Sequence, residues 1–135
     1  MDVQPYLAFE GRCDEAIEFY KKAIDAKVDV LKRFKDAPDQ SIVTSGNRDK
    51  VMHAALRAGN AQLLMSDGRC NGRPSFTGIA LALSTTTDAD AERLFKALAE
   101  GGTVNMALTK TFFAARFGML VDKFGVGWMV LSPAG

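Results

Sequence analysis

The sequence predicts an α+β fold built from two tandem βαβββ modules. Three observations carry this. The order strand, helix, strand, hairpin occurs twice along the chain. Two amphipathic helical stripes of similar make-up lie 75 positions apart. Each half closes on a hairpin that contains a glycine.

In the first half, Val3 to Phe9 is short, rich in β-formers and stopped by Glu10-Gly11, which reads as a strand. Ala16, Phe19, Tyr20, Ala23 and Ile24 then recur at helical spacing within residues 14–24. Asp14 and Glu15 near the start of that helix and Lys21 and Lys22 near its end suit the helix dipole. Lys27 to Phe34 roughly alternates apolar and charged residues, as a half-buried strand does, although Leu31-Lys32 breaks the pattern. Residues 36–50 are polar and carry Pro38, Gly46 and Asn47, so a loop is expected. Val51 to Arg57 and Ala61 to Ser66 form a hairpin around Ala58-Gly59-Asn60. Gly68, Gly72 and Pro74 mark the connection between the halves.

The pattern then restarts. Gly78 to Leu83 is a strand-length apolar run, and Thr87-Asp88-Ala89-Asp90 resembles a capping box with Asp in place of Glu. Ala91, Leu94, Phe95 and Leu98 make the second stripe, which Gly101-Gly102 ends. Thr103 to Met106 is a short strand. Arg116 to Val121 and Val126 to Leu131 form a hairpin around Lys123-Phe124-Gly125. A shift of 75 places Ala16 on Ala91 and Tyr20 on Phe95, and a shift of 66 places Gly59 on Gly125 and Leu64 on Val130. The modules therefore span about 1–67 and 78–135, joined by 68–77, within a single domain of 135 residues. The competing account is two unrelated β-α-β-hairpin halves.

Composition narrows the function. Hydrophobic residues are 47% and charged residues 24%, ordinary for a globular chain that builds its own core. The net charge of +1 gives no long-range field to gather nucleic acid or an anionic membrane. No stretch approaches about 18 apolar residues, and Asp2, Gln4 and Pro5 do not suit a secretory leader, so a cytoplasmic protein is expected. Cys13 and Cys70 lack a CxxC or His-rich context, which argues against zinc. Neither GxGxxG nor GxxxxGK[ST] occurs.

Several stretches resemble the PhnB-like branch of the vicinal-oxygen-chelate (glyoxalase and bleomycin-resistance) superfamily. They are Pro5-Tyr6-Leu7, Glu18 to Ala23, His53 to Gly59, Ala91 to Phe95 and Leu98 to Gly102. The most specific are Thr111-Phe112-Phe113-Ala114-Ala115-Arg116-Phe117-Gly118-Met119, Asp122 to Val126, and Trp128-Met129. The resemblance covers nearly the whole chain. It implies paired βαβββ modules whose curved mixed sheet encloses a cup, and a homodimer.

It also implies that metal-using relatives seat a divalent ion in the cup, held by His or Glu from the first and last strand of each module. Here the corresponding positions read Pro5, Leu63, Ala80 and Met129, and neighbours one residue away do not assemble a His/Glu set either. No metal and no cofactor are therefore expected. Some PhnB-like sequences carry a methyltransferase label, which fits poorly with the absence of a Gly-rich strand-to-helix turn.

The candidate site residues are Tyr6, His53, Phe113, Arg116 and Trp128. His53 is either an acid/base or ligand-orienting group or a strand histidine bonded to sheet or solvent. Arg116 is either a clamp for carboxylate or phosphate or one half of a salt bridge, for example with Asp122. Five of the twelve aromatic residues fall within 112–128. They either line a ligand pocket or pack a core, the latter favoured for Phe117 and Phe124. Trp128, beside Gly127, is a pocket candidate, and Tyr6 alternates with Leu7 so as to point inward. Cys70 as a nucleophile would need a nearby base. Two functions remain: metal-independent binding of a small, partly apolar molecule, and an enzyme of the superfamily acting on a small oxygenated substrate with His53 and Arg116; metal-dependent isomerase or dioxygenase chemistry survives only with a different strand register.

Overall fold

The computed structural model describes residues 1–68, 70 and 73–133. Gly72, expected in the connection, lies outside the described residues, as do residues 69, 71, 134 and 135. The elements are β1 (Tyr6–Ala8), α1 (Cys13–Ala23), β2 (Lys27–Arg33), β3 (Val51–Ala58), β4 (Ala61–Ser66), β5 (Ala80–Ser84), α2 (Asp88–Ala99), β6 (Thr103–Thr109), β7 (Ala114–Val121) and β8 (Gly127–Pro133). This is the expected α+β class with tandem βαβββ order. The chain divides into two compact units, Met1–Pro74 and Ser75–Gly135.

Each unit holds one four-stranded mixed sheet, ordered β1-β4-β3-β2 in the first and β5-β8-β7-β6 in the second. The first and last strands of each unit pair in parallel, and the other pairs are antiparallel. The first two strands of each unit consequently run in the same direction at opposite edges of the sheet, so the link between them must cross the sheet, which a hairpin cannot do. That is why one amphipathic helix sits between the first two strands of each unit.

The expected strand over Val3 to Phe9 is shorter, and Pro5, which has no N–H to give, stands just outside it. The expected strand ending at Met106 runs on to Thr109, because Thr109 still pairs with Phe117 across an irregular ladder. The loop over 36–50 contains two single 3-10 turns, Phe34–Asp36 and Gln40–Ile42. In the first hairpin a two-residue turn joins Ala58 to Ala61, and Gly59 takes a φ of +57° there, where a side chain would be strained.

The helices match at the expected shift of 75. Ala16 and Ala91, Tyr20 and Phe95, and Ala23 and Leu98 are buried in register. The hairpins do not match at 66. Met65 and Val130 are both fully buried, and Asp67 and Ser132 both follow two residues later. Asp67 accepts from Cys13 N at 2.8 Å and Ser132 Oγ donates to Asp88 Oδ1 at 2.7 Å, so each reaches the first residue of its own helix. The true shift is 65. Aligning Gly59 on Gly125 misleads by one residue because the first turn has two residues whereas residues 122–126 make the second. A one-residue slip exchanges the two faces of a strand.

Helix α1 has no side-chain cap of its own at Arg12. Asp67, fully buried, does this work from across the fold. Its Oδ1 accepts from Gly11 N at 2.9 Å and Cys13 N at 2.8 Å, and its Oδ2 accepts from Val51 N at 2.7 Å. In α2, Thr87 Oγ1 accepts from Asp90 N at 3.1 Å, half of the expected capping box. A second buried carboxylate, Asp122, accepts from Phe124 N, Val126 N and Trp128 Nε1 at 2.9, 3.1 and 2.9 Å. It holds the turn between β7 and β8.

Asp67→Ala strands three backbone N–H groups, each costing about 1–3 kcal/mol when buried without an acceptor. We expect it to lose at least about 3 kcal/mol in urea unfolding on that basis, with Asp67→Asn in between. An Asp67→Ala variant as stable as the parent would contradict this role.

Cys13 is buried at the start of α1, and its thiol is pushed well above the ordinary value of 9.0, first by burial, then by Asp67 and Asp14. The folded pKa is raised, so the contribution is fully present below the unfolded value. Above about pH 9 the unfolded chain ionises while the folded thiol does not. Unfolding is then favoured by up to about 1.4 kcal/mol per pH unit. Stability measured between pH 8 and 10 should fall with this slope and flatten in Cys13→Ala. An identical slope in the variant would rule the thiol out.

Candidate functional site

The ring of Phe9 lies 6.2 Å from that of Tyr20 on α1, so Leu7 and Phe9 mark the helix-bearing face of the first sheet. Leu7, Met65, Ala54, Leu56 and Leu63 share that face through the strand registers, and all are buried. Alternation sends Tyr6, Leu64, Ala55 and His53 to the other, helix-free face.

On that face Tyr6 Oη and His53 Nδ1 share a hydrogen bond of 3.2 Å, with ring centroids 5.8 Å apart. Which atom donates depends on the imidazole tautomer. Gln4 Nε2 donates to Gln62 Oε1 at 2.8 Å beside them. Tyr6 is 53% exposed and His53 half-buried, so the pair is accessible. The sequence named Tyr6 and His53 separately, and the structure brings them together.

In the second sheet, a Cβ on Gly118 would meet Phe95 on α2 at 2.7 Å, so Gly118 marks the helix-bearing face there. Arg116, two residues earlier on the same side, pairs with Asp88 at 3.7 Å and Glu92 at 3.6 Å, both on α2. It is thus a link between β7 and the helix, and its acidic partners are these rather than Asp122. Trp128 pairs with Leu120 on that same face, is only 4% exposed, and donates its indole N–H to Asp122. Trp128, expected to line a pocket, is thus packed on the helix-bearing face. The space beside Gly127 is filled by strand β5, with Ile79 O at 3.1 Å from where a Cβ would sit.

The helix-free face of the second sheet carries Ala82, Phe117, Met119, Met129 and Leu131, with Ser84 and Thr109 beside Leu131 and Phe117. Phe113, 51% exposed, meets Phe117 edge-on at 5.1 Å, and Phe112 meets Phe113 at 5.2 Å. Phe113 therefore continues this apolar face.

The corrected register changes which residues occupy the positions that hold a metal ion in relatives. Leu63 faces α1, and Leu64, the strand partner of Tyr6, takes its place. Met129 pairs with Ala82. The set becomes Tyr6, Leu64, Ala82 and Met129: one phenol, two alkyl groups and a thioether. Such a set does not fit a hard or borderline divalent ion, which takes imidazole and carboxylate. Cys70 fits a nucleophile no better, because burial and then Asp67 raise its thiol.

The face that the sequence could not supply is the one bearing Gln4 and Gln62. Their contact follows from β1 lying parallel to β4, a pairing no local pattern announces. Asp67 and Asp122 were likewise missed as organisers. The signal available was an Asp directly after or before an apolar strand at a turn.

Comparison with known proteins identifies the family and the fold. A family model described as 3-demethylubiquinone-9 3-methyltransferase matches residues 1–131. Protein YjdN of Escherichia coli K12 is 33% identical, over 96% of this chain and 94% of its own. The crystal structure of PA1353 from Pseudomonas aeruginosa is 40% identical, with a TM-score of 0.86 and 98% of both chains covered. The PhnB protein of Bacillus cereus, which carries the same methyltransferase name, is 25% identical with a TM-score of 0.80, covering 98% of this chain and 99% of its own. A glyoxylase/bleomycin resistance protein/dioxygenase domain from Frankia, at 16% identity and a TM-score of 0.62, covering 99% of this chain and 93% of its own, shares the fold. The chain belongs to the 3-demethylubiquinone-9 3-methyltransferase family, the PhnB-like branch of the glyoxalase and bleomycin-resistance fold.

Proposed function

We propose that the chain binds a small, partly apolar molecule on the helix-free face of its first sheet, without a metal ion. The observation that carries this is the accessible Tyr6–His53 hydrogen bond beside Gln4, Gln62 and Leu64. A few convergent polar groups around an apolar floor are what a small-molecule site needs. Phe113 offers a second, purely apolar contact surface on the other sheet. Arg116 and Trp128, turned toward α2 and Asp122, serve the scaffold in this reading.

The methyl transfer in the family description finds little support in the residues. The strand-to-helix junctions read Glu10-Gly11-Arg12 and Thr85-Thr86-Thr87, with no Gly-rich turn of the kind that approaches a nucleotide. A second reading keeps the same pair but gives it proton transfer, since imidazole and phenol already stand within hydrogen-bond reach. The proposal includes a homodimer, as the resemblance implies. It also includes a cytoplasmic setting, with which two free thiols agree.

A thermal-melt screen of small aromatic and oxygenated compounds, run with and without EDTA, tests this. A stabilising compound should raise Tm equally in both conditions. Tyr6→Phe and His53→Gln should each weaken its binding by about five- to tenfold, the loss of one hydrogen bond. Chelation that removes more than about 2 kcal/mol of stability would overturn the metal-independent reading.

A further inference from the structure

We infer that the group recognised on the first sheet is an anionic oxygen of the carboxylate class, held by Lys32 and by His53, whose ring Tyr6 orients. This rests on the binding reading above and names its ligand chemistry.

Lys32 is the direct cross-strand partner of His53. Such partners share a face, with Cβ atoms about 4.5–5.5 Å apart. The cations around Lys32 are committed: Arg33 makes two bonds of 3.0 Å to Asp14, Lys35 meets Asp49 at 3.4 Å, and Arg57 meets Asp29 at 3.4 Å. Among the described residues Lys32 has no hydrogen bond or ion pair, and it is exposed. Strands β1, β3 and β4 carry no carboxylate at all, and Asp29 on β2 is taken by Arg57. Among the described residues, a lysine without an acidic partner thus stands across the strand from the imidazole.

The hydrogen-bond inventory points the same way. Nδ1 of His53 is occupied by Tyr6, which leaves Nε2 for a ligand. When Tyr6 donates to Nδ1, Nε2 carries the ring proton and is the donor left for a ligand, while the phenol orients the imidazole. Lys32 supplies further donors and no acceptor. The neighbouring cross-strand row reads Val30, Ala55, Leu64 and then Tyr6, an apolar floor ending at the phenol. A ligand with an apolar body and a terminal carboxylate lays its body on that row and its charge at the Lys32–His53–Tyr6 corner. Charge-assisted bonds to a carboxylate are roughly twice as strong as neutral ones, so the charge decides the preference.

The test is an NMR titration of the 15N-labelled full chain with benzoate and, separately, its neutral isostere benzamide. Benzoate should bind saturably in the millimolar range expected of so small a fragment and shift the amides around Tyr6, His53 and Lys32. Benzamide should bind those positions at least about fivefold more weakly, for loss of one charge-assisted bond. Lys32→Met, a surface change that leaves folding intact, should weaken benzoate to the level of benzamide and leave benzamide unaltered. Equal binding of the two probes at these residues would overturn the anion inference while leaving small-molecule binding on this face standing. Benzoate shifts confined to other residues, or no saturable benzoate binding, would overturn it as well, whatever the compound screen returns. An unchanged benzoate affinity in Lys32→Met would do the same.

Discussion

The carboxylate of Asp67 is the constraint on which the first unit hangs. It gathers three backbone N–H groups from three places in the chain: the turn after β1, the first residue of α1 and the first residue of β3. A buried charge is expensive to desolvate, and three short bonds to amide donors are what make it tolerable. The result is that one side chain at the end of β4 decides where the helix starts and which side of the sheet it covers. The other side, with Tyr6 and His53, is left without a helix. The second unit reaches the same layout by other means. Thr87 caps α2 locally, Ser132 bonds Asp88, and Asp122 secures the last turn together with Trp128.

Two modules with one plan have therefore come to present different chemistry. The helix-bearing faces are alike: alanine, an aromatic ring and an aliphatic side chain from each helix pack against buried strand residues. The helix-free faces diverge. The first carries Tyr6, His53, Gln62 and Lys32, whereas the corresponding face of the second carries mainly alanine, methionine, leucine and phenylalanine, with only the hydroxyls of Ser84 and Thr109 among the residues paired there. Packing under a helix tolerates few changes of volume. A face without a helix is free of that constraint, so specificity can change there at little cost to the fold.

The sequence made the helices, the element order and the duplication legible, because a 3.6-residue stripe and a glycine turn are local signals. Register was not local. Gly59 and Gly125 look equivalent, yet they lie in turns of different length, and the slip of one residue put Leu63 where Leu64 belongs. Parity is also why the side on which Trp128 lies was not legible. A strand reading Gly-Trp-Met-Val-Leu-Ser is apolar on both sides, and only pairing with Leu120 and the bond to Asp122 tells which side faces the helix. Arg116 was read correctly as a possible salt-bridge residue, but its partners lie on α2, more than twenty residues away in sequence. Tyr6 and His53 were legible as residues and not as a pair, since 47 positions separate them and only the β1–β4–β3 order brings them together.

The corrected register leaves the case against a metal standing. Substituting Leu64 for Leu63 and Ala82 for Ala80 exchanges one apolar side chain for another, so the conclusion survives the error. Moving from Pro5 to Tyr6 does add an oxygen, but a neutral phenol hydrogen-bonded to an imidazole is a poor partner for a divalent ion, which requires three or four good donors. On that side of the first sheet the phenol meets an imidazole, and Lys32 stands across the strand from it. Where relatives use a cation to polarise a substrate oxygen, this surface has fixed donors and a positive side chain of its own. Donors of that kind favour the same type of ligand atom, an electron-rich oxygen, by hydrogen bonds and charge instead of coordination.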